Sequence, residues 1–372
     1  MQFLKGIPWK YAGRKVLLAI PLVFGVLTII FILLELAPGD ASTKFLNPDF
    51  PPEVRQMVIE KYGLDQPAWY RYFIMMRNLA VFDFGRSVTH ERPVWDLVAD
   101  ALPNTVILSL VTLIVSYPLG ILMGTWQAIR QNKPDDTVIS VGSLFFYSMP
   151  SFWFAMMLQL FISYYLSNFV SGLVDAGSLP GFMRVFDFDV SGMYSNDLLI
   201  AMSMDEPWTW GQILSDPLGA WQERFPWWWE RNLSMLHHLV LPGLAMGIAS
   251  SAGAARYMRS SLLEVIRQDY IRTARAKGLS ERVVILKHAM RNALLPIITL
   301  FGLSIPYLFS GSVLVEMVFA WPGMGRLIID SIFAQDTPTI VACFFVSTLL
   351  VVAGNLISDI SYAVVDPRIR YD

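Results

Sequence analysis

The sequence predicts an all-α membrane protein with six transmembrane helices, and three observations predict it. Hydrophobic residues make up 55% of the 372-residue chain and charged residues only 16%, against about 25% charged in a soluble domain. Mean hydropathy is correspondingly positive, +0.48. Six apolar runs approach the roughly 20 residues that a helix needs to cross a bilayer; they lie near 15–36, 104–127, 138–166, 237–255, 293–315 and 339–362. Finally, Lys and Arg are distributed unevenly between alternate connecting segments, 17 on the side of the N-terminus against 11 on the other. The short segments decide orientation, so both termini are expected in the cytoplasm.

The first run follows Lys5, Lys10, Arg14 and Lys15. Its apolar core is too long for a signal peptide and no small-residue cleavage site follows, so it reads as a retained anchor. Residues 38–103 then form an outer segment. In it, Pro52, the Val54, Met57, Val58 and Tyr62 face and the Gly63 stop predict a short amphipathic helix, with a second over Trp69 to Leu79. The third run exceeds one bilayer thickness and is expected to tilt or project.

Residues 168–236 are the longest segment between spans, with nine acids, three Arg and a Trp227-Trp228-Trp229 run. Their plain reading is an ordered outer cap with Trp residues in the interfacial belt. The alternatives are a docking surface for an outer partner and a negative vestibule. Pro and Gly recur in the spans, among them Gly120, Gly124, Gly243, Gly247, Pro296 and Pro306. They fit ordinary membrane-helix usage, or hinges and close helix contacts.

Function classes fall away quickly. A net charge of −2 offers nothing to nucleic acid, and the single cysteine, Cys343, permits no disulfide or metal framework. No Gly-x-x-x-x-Gly-Lys-Ser/Thr, HExxH, CxxC or Gly-x-Ser-x-Gly pattern occurs. No catalysis and no cofactor are therefore expected of this chain. His237 and His238 are sequence neighbours that do not share a helical face. Glu35, Glu316 and Asp359 lie near span ends, where water or headgroups are expected to reach them, unlike a deep proton-relay carboxylate.

The segment that stands out is 256–291, with nine Lys/Arg against three acids. Its caps and periodicity predict two consecutive helices. Ile266, Tyr270 and Ala274 fall at i, i+4 and i+8 on one face. Arg275 and Lys277 load the last turn, and Gly278 supplies a left-handed C′ position. Ser280 is the expected N-cap of the next helix, with Leu279 and Val284 at the spacing of a hydrophobic staple. Such a rigid protrusion is built to be gripped. The plainer alternative, a basic loop lying on anionic lipid, explains the charge but neither the small residues nor the capped turn.

DYIRTARAKGLS in this segment resembles the EAA loop of ABC importer permeases, in the form of the dipeptide/oligopeptide subfamily. The Glu of the general pattern is absent: Arg272-Thr273-Ala274 precede Gly278, and His288-Ala289-Met290-Arg291 replace the later Ile-x-Leu-Pro. Both departures resemble those of the peptide-type subfamily. Further similar stretches are LAPGD (36–40), GLDQP (63–67), DFGRS (83–87), RPVWDLVADALPNT (92–105), EMVFAWPGMGRL (316–327) and DPRIRY (366–371). Only 168–236 lies outside the resemblance, being longer than is usual in that family.

The resemblance implies type I ABC importer permease architecture in a bacterial or archaeal plasma membrane. It divides the chain into an N-terminal region (1–98), a permease domain (99–362) with its outer insertion, and a cytoplasmic tail (363–372). The implied partners are a second homologous permease, two cytosolic ATP-binding subunits, a solute-binding protein and membrane lipids. Asp269, Tyr270, Arg272, Thr273, Ala274, Arg275, Ala276, Lys277, Gly278 and Leu279, within the loop 264–280, are implied to couple to an ATPase. The implied substrate is a peptide or similar small solute. An ion-coupled secondary carrier and a non-transporting membrane scaffold are the alternatives.

Overall fold

A computed structural model describes residues 9–36, 53, 66–180, 192–195, 217–308 and 313–365. Its helices are α1 (Trp9–Leu36), α2 (Ala68–Ala80), α3 (Val94–Ile129), α4 (Pro134–Ser148), α5 (Ser151–Leu158), α6 (Ser167–Asp175), α7 (Pro217–Ile266) and α8 (Asp269–Ala276). After them come α9 (Glu281–Val283), α10 (Met290–Ala293), α11 (Leu295–Ser304), α12 (Val313–Val318), α13 (Met324–Phe333) and α14 (Thr337–Val365). π-Helical stretches join α5 to α6 (Gln159–Leu166) and α9 to α10 (Val284–Ala289). Among the described residues the only strand-like pairing is an isolated bridge between Arg86 and Pro93.

Five helical stretches are long and apolar enough to cross a membrane: Gly13–Leu36, Val94–Ile129, Ser151–Asp175, Trp229–Ile266 and Thr337–Ser358. A sixth is a pair, Glu281–Ala293 and Leu295–Ser304, bent by 45°. Two expected spans therefore need correction. The run 138–166 is not one helix: it breaks at Met149, whose extended ψ of 130° precedes Pro150, as the steric clash of a proline ring with the residue before it demands. The run 293–315 is entered by a bent helix, because Pro296 has no N–H to return to the carbonyl four residues earlier. Residues 52 and 54–63 of the expected helix, residues 181–191 and 196–216 of the outer insertion, the DPRIRY stretch and the side chain of Asp359 lie outside the described residues.

The chain forms two compact units. The first comprises residues 1–107, 298–313 and 323–372. Its core gathers Leu27 and Ile30 of α1, Val94 and Val98 of α3, Met324 of α13, and Val341 to Val346 of α14. The expected helix near 69–79 is α2, tied to α1 by an Arg71–Glu35 ion pair and by Tyr72 Oη 2.8 Å from Thr28 Oγ1. The DFGRS stretch folds inward here. Ser87 donates its hydroxyl hydrogen to the buried carboxylate of Asp336. Met324 N donates to Thr105 Oγ1 over 2.7 Å, so the stretches 83–105 and 324–336 are stitched together.

The second unit comprises residues 108–297 and 314–322. In it α3 and α7 run side by side in the same direction, through glycines spaced four apart on each helix. A Cβ at Gly243 would meet Val111, and one at Gly247 would meet Val115. Further along, a Cβ at Gly120 would meet Ala254 and Ser251, and one at Gly124 would meet Ala255 and Met258. This is small-xxx-small contact, where missing side chains let backbones touch. Of the two readings open for these glycines, close helix contact holds. Ala155 of α5, Leu241 and Ala245 of α7, Val315 of α12 and Phe319 just after it form a second apolar cluster. Glu316, expected within reach of water, is instead fully buried within α12.

Candidate functional site

The basic segment starts within the last turns of α7, which stops at Ile266. Gln268 is extended (φ −72°, ψ 149°) and starts α8 afresh at Asp269. This break corrects the expected face. Ile266 belongs to the preceding helix, and the phase is reset before Tyr270, which is 41% exposed. The residues that α8 turns inward are Ile271 (0% exposed) and Ala274 (7%), three apart on the new helix. Asp269, Arg272, Thr273, Arg275, Ala276, Lys277, Gly278 and Leu279 are all exposed. The protrusion thus keeps nine of the ten site residues outside; Ala274 alone is a packing residue.

The turn closes as expected. Lys277 N donates to Thr273 O (3.1 Å) and Gly278 N to Arg275 O (2.9 Å). Gly278 has φ +77°, a conformation that costs glycine nothing and other residues about 1–2 kcal/mol. Ser280 stands at the N-cap (φ −61°, ψ 145°), but its side chain makes no cap bond. Instead its carbonyl accepts from the amides of Val283 and Val284 at 2.9 and 3.0 Å. Leu279, the expected staple partner of Val284, is 39% exposed while Val284 is fully buried.

Two braces were not legible beforehand. Arg275 grips Glu281 through both nitrogens of its fork, Nε to Oε2 at 3.1 Å and Nη2 to Oε1 at 2.6 Å, across the Gly278 turn. That bond holds the Glu281 carboxyl below its ordinary range and raises the Arg275 guanidinium. Asn292 Nδ2 donates to Tyr270 Oη over 2.7 Å, tying α8 to α10. The return path is anchored by Val284, Ile285 and Ala289, all buried, and by Ser261 donating to Ala293 O at 3.0 Å. The result is a stiff elbow with a cationic outer surface and an apolar inner one.

Because the Glu281 carboxyl is held low, the bridge is complete at neutral pH and is lost as pH falls through that depressed value. Both partners are partly exposed (40% and 56%), so it contributes less than about 1 kcal/mol. Glu281→Gln is expected to speed trypsin cleavage after Arg275 or Lys277 by no more than about fivefold. An unchanged cleavage rate would show that the bridge does not hold the turn.

Midway along α7, the His237 and His238 rings lie 6.0 Å apart and nearly perpendicular, and His238 Nδ1 is 2.8 Å from Ser234 O. Among the described residues no group of His, Cys, Asp or Glu could hold a metal ion.

An elbow between two apolar helices suits a subunit moved from outside the membrane, and comparison with known proteins names the class. Residues 116–371 match the model of a family described as binding-protein-dependent transport system inner membrane component. The chain belongs to that family. It is 38% identical to the oligopeptide transport system permease protein AppB of Bacillus subtilis (strain 168), over 97% of this chain and 99% of that one. It is 34% identical to the dipeptide transport system permease protein DppB of Alkalihalophilus pseudofirmus, with the same coverage. The glutathione transport system permease protein GsiC of Escherichia coli (strain K12) is 31% identical, again over 97% and 99%. The chain is thus a multi-pass membrane permease, a translocation-pathway subunit of an ABC importer.

Proposed function

We propose that this permease imports peptides, and that the elbow 264–280 is where a cytosolic ATPase grips it. The observation that carries the reading is the anchored elbow. Ile271 and Ala274 fix α8 from beneath, while Arg272, Thr273, Ala276 and Lys277 stand outward. Small residues admit a helix backbone to a cleft, and the cations suit acidic groups on its rim. A push on α8 passes through the Arg275–Glu281 and Asn292–Tyr270 braces into α9, α10 and the bent helix beyond. Two permeases, this chain and a homologue, enclose the pathway. Two ATPases close on ATP, draw the elbows together and open the pathway outward, and a solute-binding protein releases its cargo there. The peptide class follows from the names of the relatives.

The orientation has both termini in the cytoplasm and the elbow on the same side. The Lys/Arg distribution supports it, as do α3 and α7 running in the same direction, since two crossings separate them. The N-terminal region 1–98, permease domain 99–362 and tail 363–372 are the proposed divisions.

A photo-crosslinking residue at Thr273, in the transporter assembled with its ATPases, tests the contact. It is expected to link to an ATPase subunit, whereas one at the exposed Phe333 (78%) is not. Links from position 273 to lipid alone would remove the coupling role.

A further inference from the structure

We propose that the cavity between the adjoining ends of α3, α4 and α7 binds the phosphate headgroup of an anionic membrane lipid. It holds about 280 Å³. Gln127 of α3 with Ser140 and Ser143 of α4 give it a polar wall, and Ala252 and Ala255 of α7 leave room behind them. Two guanidinium groups border it, Arg256 and Arg259, and they differ in kind.

Arg259 is spoken for. Its Nε and Nη2 reach Asp136 Oδ1 and Oδ2 at 3.1 and 2.9 Å, and Asp136 also accepts from Asn132 N at 3.1 Å. That fork, with its desolvated partner, is a structural pair. Arg256 faces no carboxylate among the described residues; its guanidinium lies over the Tyr147 ring, 5.0 Å from the centroid. An aromatic face stabilises a cation without neutralising it. The cavity therefore keeps one uncompensated positive charge, while its amide and hydroxyls are already bonded: Gln127 Nε2 donates to Ser140 Oγ at 2.9 Å and Ser143 Oγ to Ile139 O at 2.6 Å. That charge calls for an anion, and a guanidinium fork fits an oxyanion.

The surroundings select a lipid over a soluble anion. Leu144, on the cavity's edge, continues into an exposed apolar side of α4 formed with Val138, Val141 and Phe145, each more than half exposed. Acyl chains have a surface to lie on there, and inorganic phosphate has no use for one. Arg256 is also the first cation after the apolar stretch 237–255, which places it at the membrane–water boundary. Basic pockets between spans at that depth receive lipid headgroups. The inference rests on the chain being membrane-embedded and needs neither the ATPase nor the transported solute.

The test uses the full chain purified in detergent, offered phosphatidylcholine and phosphatidylglycerol in equal amounts, with retained lipid counted by native mass spectrometry. Phosphatidylglycerol is expected to be retained preferentially, and Arg256→Gln to reduce that retention by about five- to tenfold. Arg256→Lys should keep part of it. Ser143→Leu, which fills the cavity and leaves both arginines in place, should lose it as Arg256→Gln does; this second route holds if the arginine variant folds poorly. Equal retention of both lipids, or retention indifferent to both variants, overturns the proposal. Displacement of the retained lipid by inorganic phosphate or by a dipeptide at equal concentration would assign the cavity to a soluble oxyanion and overturn it equally. Peptide uptake is a separate measurement, so failure here leaves the permease function standing.

Discussion

A Gly278→Val variant is expected to reach the membrane in normal amount and to lose most of its transport. No atom lies within 4 Å of where a Cβ on Gly278 would stand, so the substitution meets no steric obstacle. Its cost is confined to the backbone, where φ is +77°. A β-branched residue resists that region by about 1–2 kcal/mol or more. The chain escapes by rotating to negative φ, which redirects residues 279–283. That rotation withdraws Glu281 from Arg275 and loosens the 2.9 Å bond from Gly278 N to Arg275 O. The loss is small beside the burial that holds the helices, so insertion survives. The elbow's shape does not survive. Uptake of a labelled dipeptide, driven by the assembled transporter, should fall about 5- to 30-fold, the population shift that 1–2 kcal/mol produces. Gly278→Asn, which tolerates the left-handed region, should keep much of it. Normal uptake by the valine variant at normal abundance would count against an elbow that transmits force.

The contrast between Gly278 and the α8 face shows what a sequence can carry. The turn was legible because its signal is local: cations in the last turn, a glycine, then a serine at the next cap. The buried face was not. Residues 266, 270 and 274 keep helical spacing across Arg267 and Gln268, where no glycine or proline announces a break. Ile271 lies one position beyond Tyr270 and takes its place once the phase resets. Prolines were visible at 150 and 296, yet a proline in a membrane helix either kinks or ends it according to what its neighbours can bond, and that is tertiary information. Asp136 and Arg259 stand 123 residues apart. Glu316 reads as a boundary carboxylate from its position, and only packing takes it inside. The four-residue spacing of Gly120 with Gly124, and of Gly243 with Gly247, was a signal that could have paired α3 with α7.

That pairing makes Gly124→Leu the most damaging single substitution expected in the second unit. A Cβ at Gly124 would stand 2.7 Å from Met258 Cβ and 2.9 Å from Arg259 N, and closer still to the carbonyl oxygen of Ala255. Two of those atoms are backbone, so no rotamer relieves the collision and α7 must move away from α3. One residue of the displaced turn is Arg259, whose fork fits Asp136 at 2.9 and 3.1 Å and loses its match when α7 shifts. Asp136, 3% exposed, then keeps its charge without its partner. Overpacking of about 1–3 kcal/mol is joined by a buried charge left imperfectly paired, so the total is expected to reach about 3 kcal/mol or more. Gly124→Leu should be recovered largely as aggregate, or melt well below the parent in detergent, with Gly124→Ala between the two. Gly142→Leu on α4 is the control: nothing lies within 4 Å of its Cβ position, and leucine is the better helix former. Its melting point should match or exceed the parent's. If Gly124→Leu melted like Gly142→Leu, α3 and α7 would not touch at these glycines. The support that their shared direction lends to an elbow on the cytoplasmic side would then be lost.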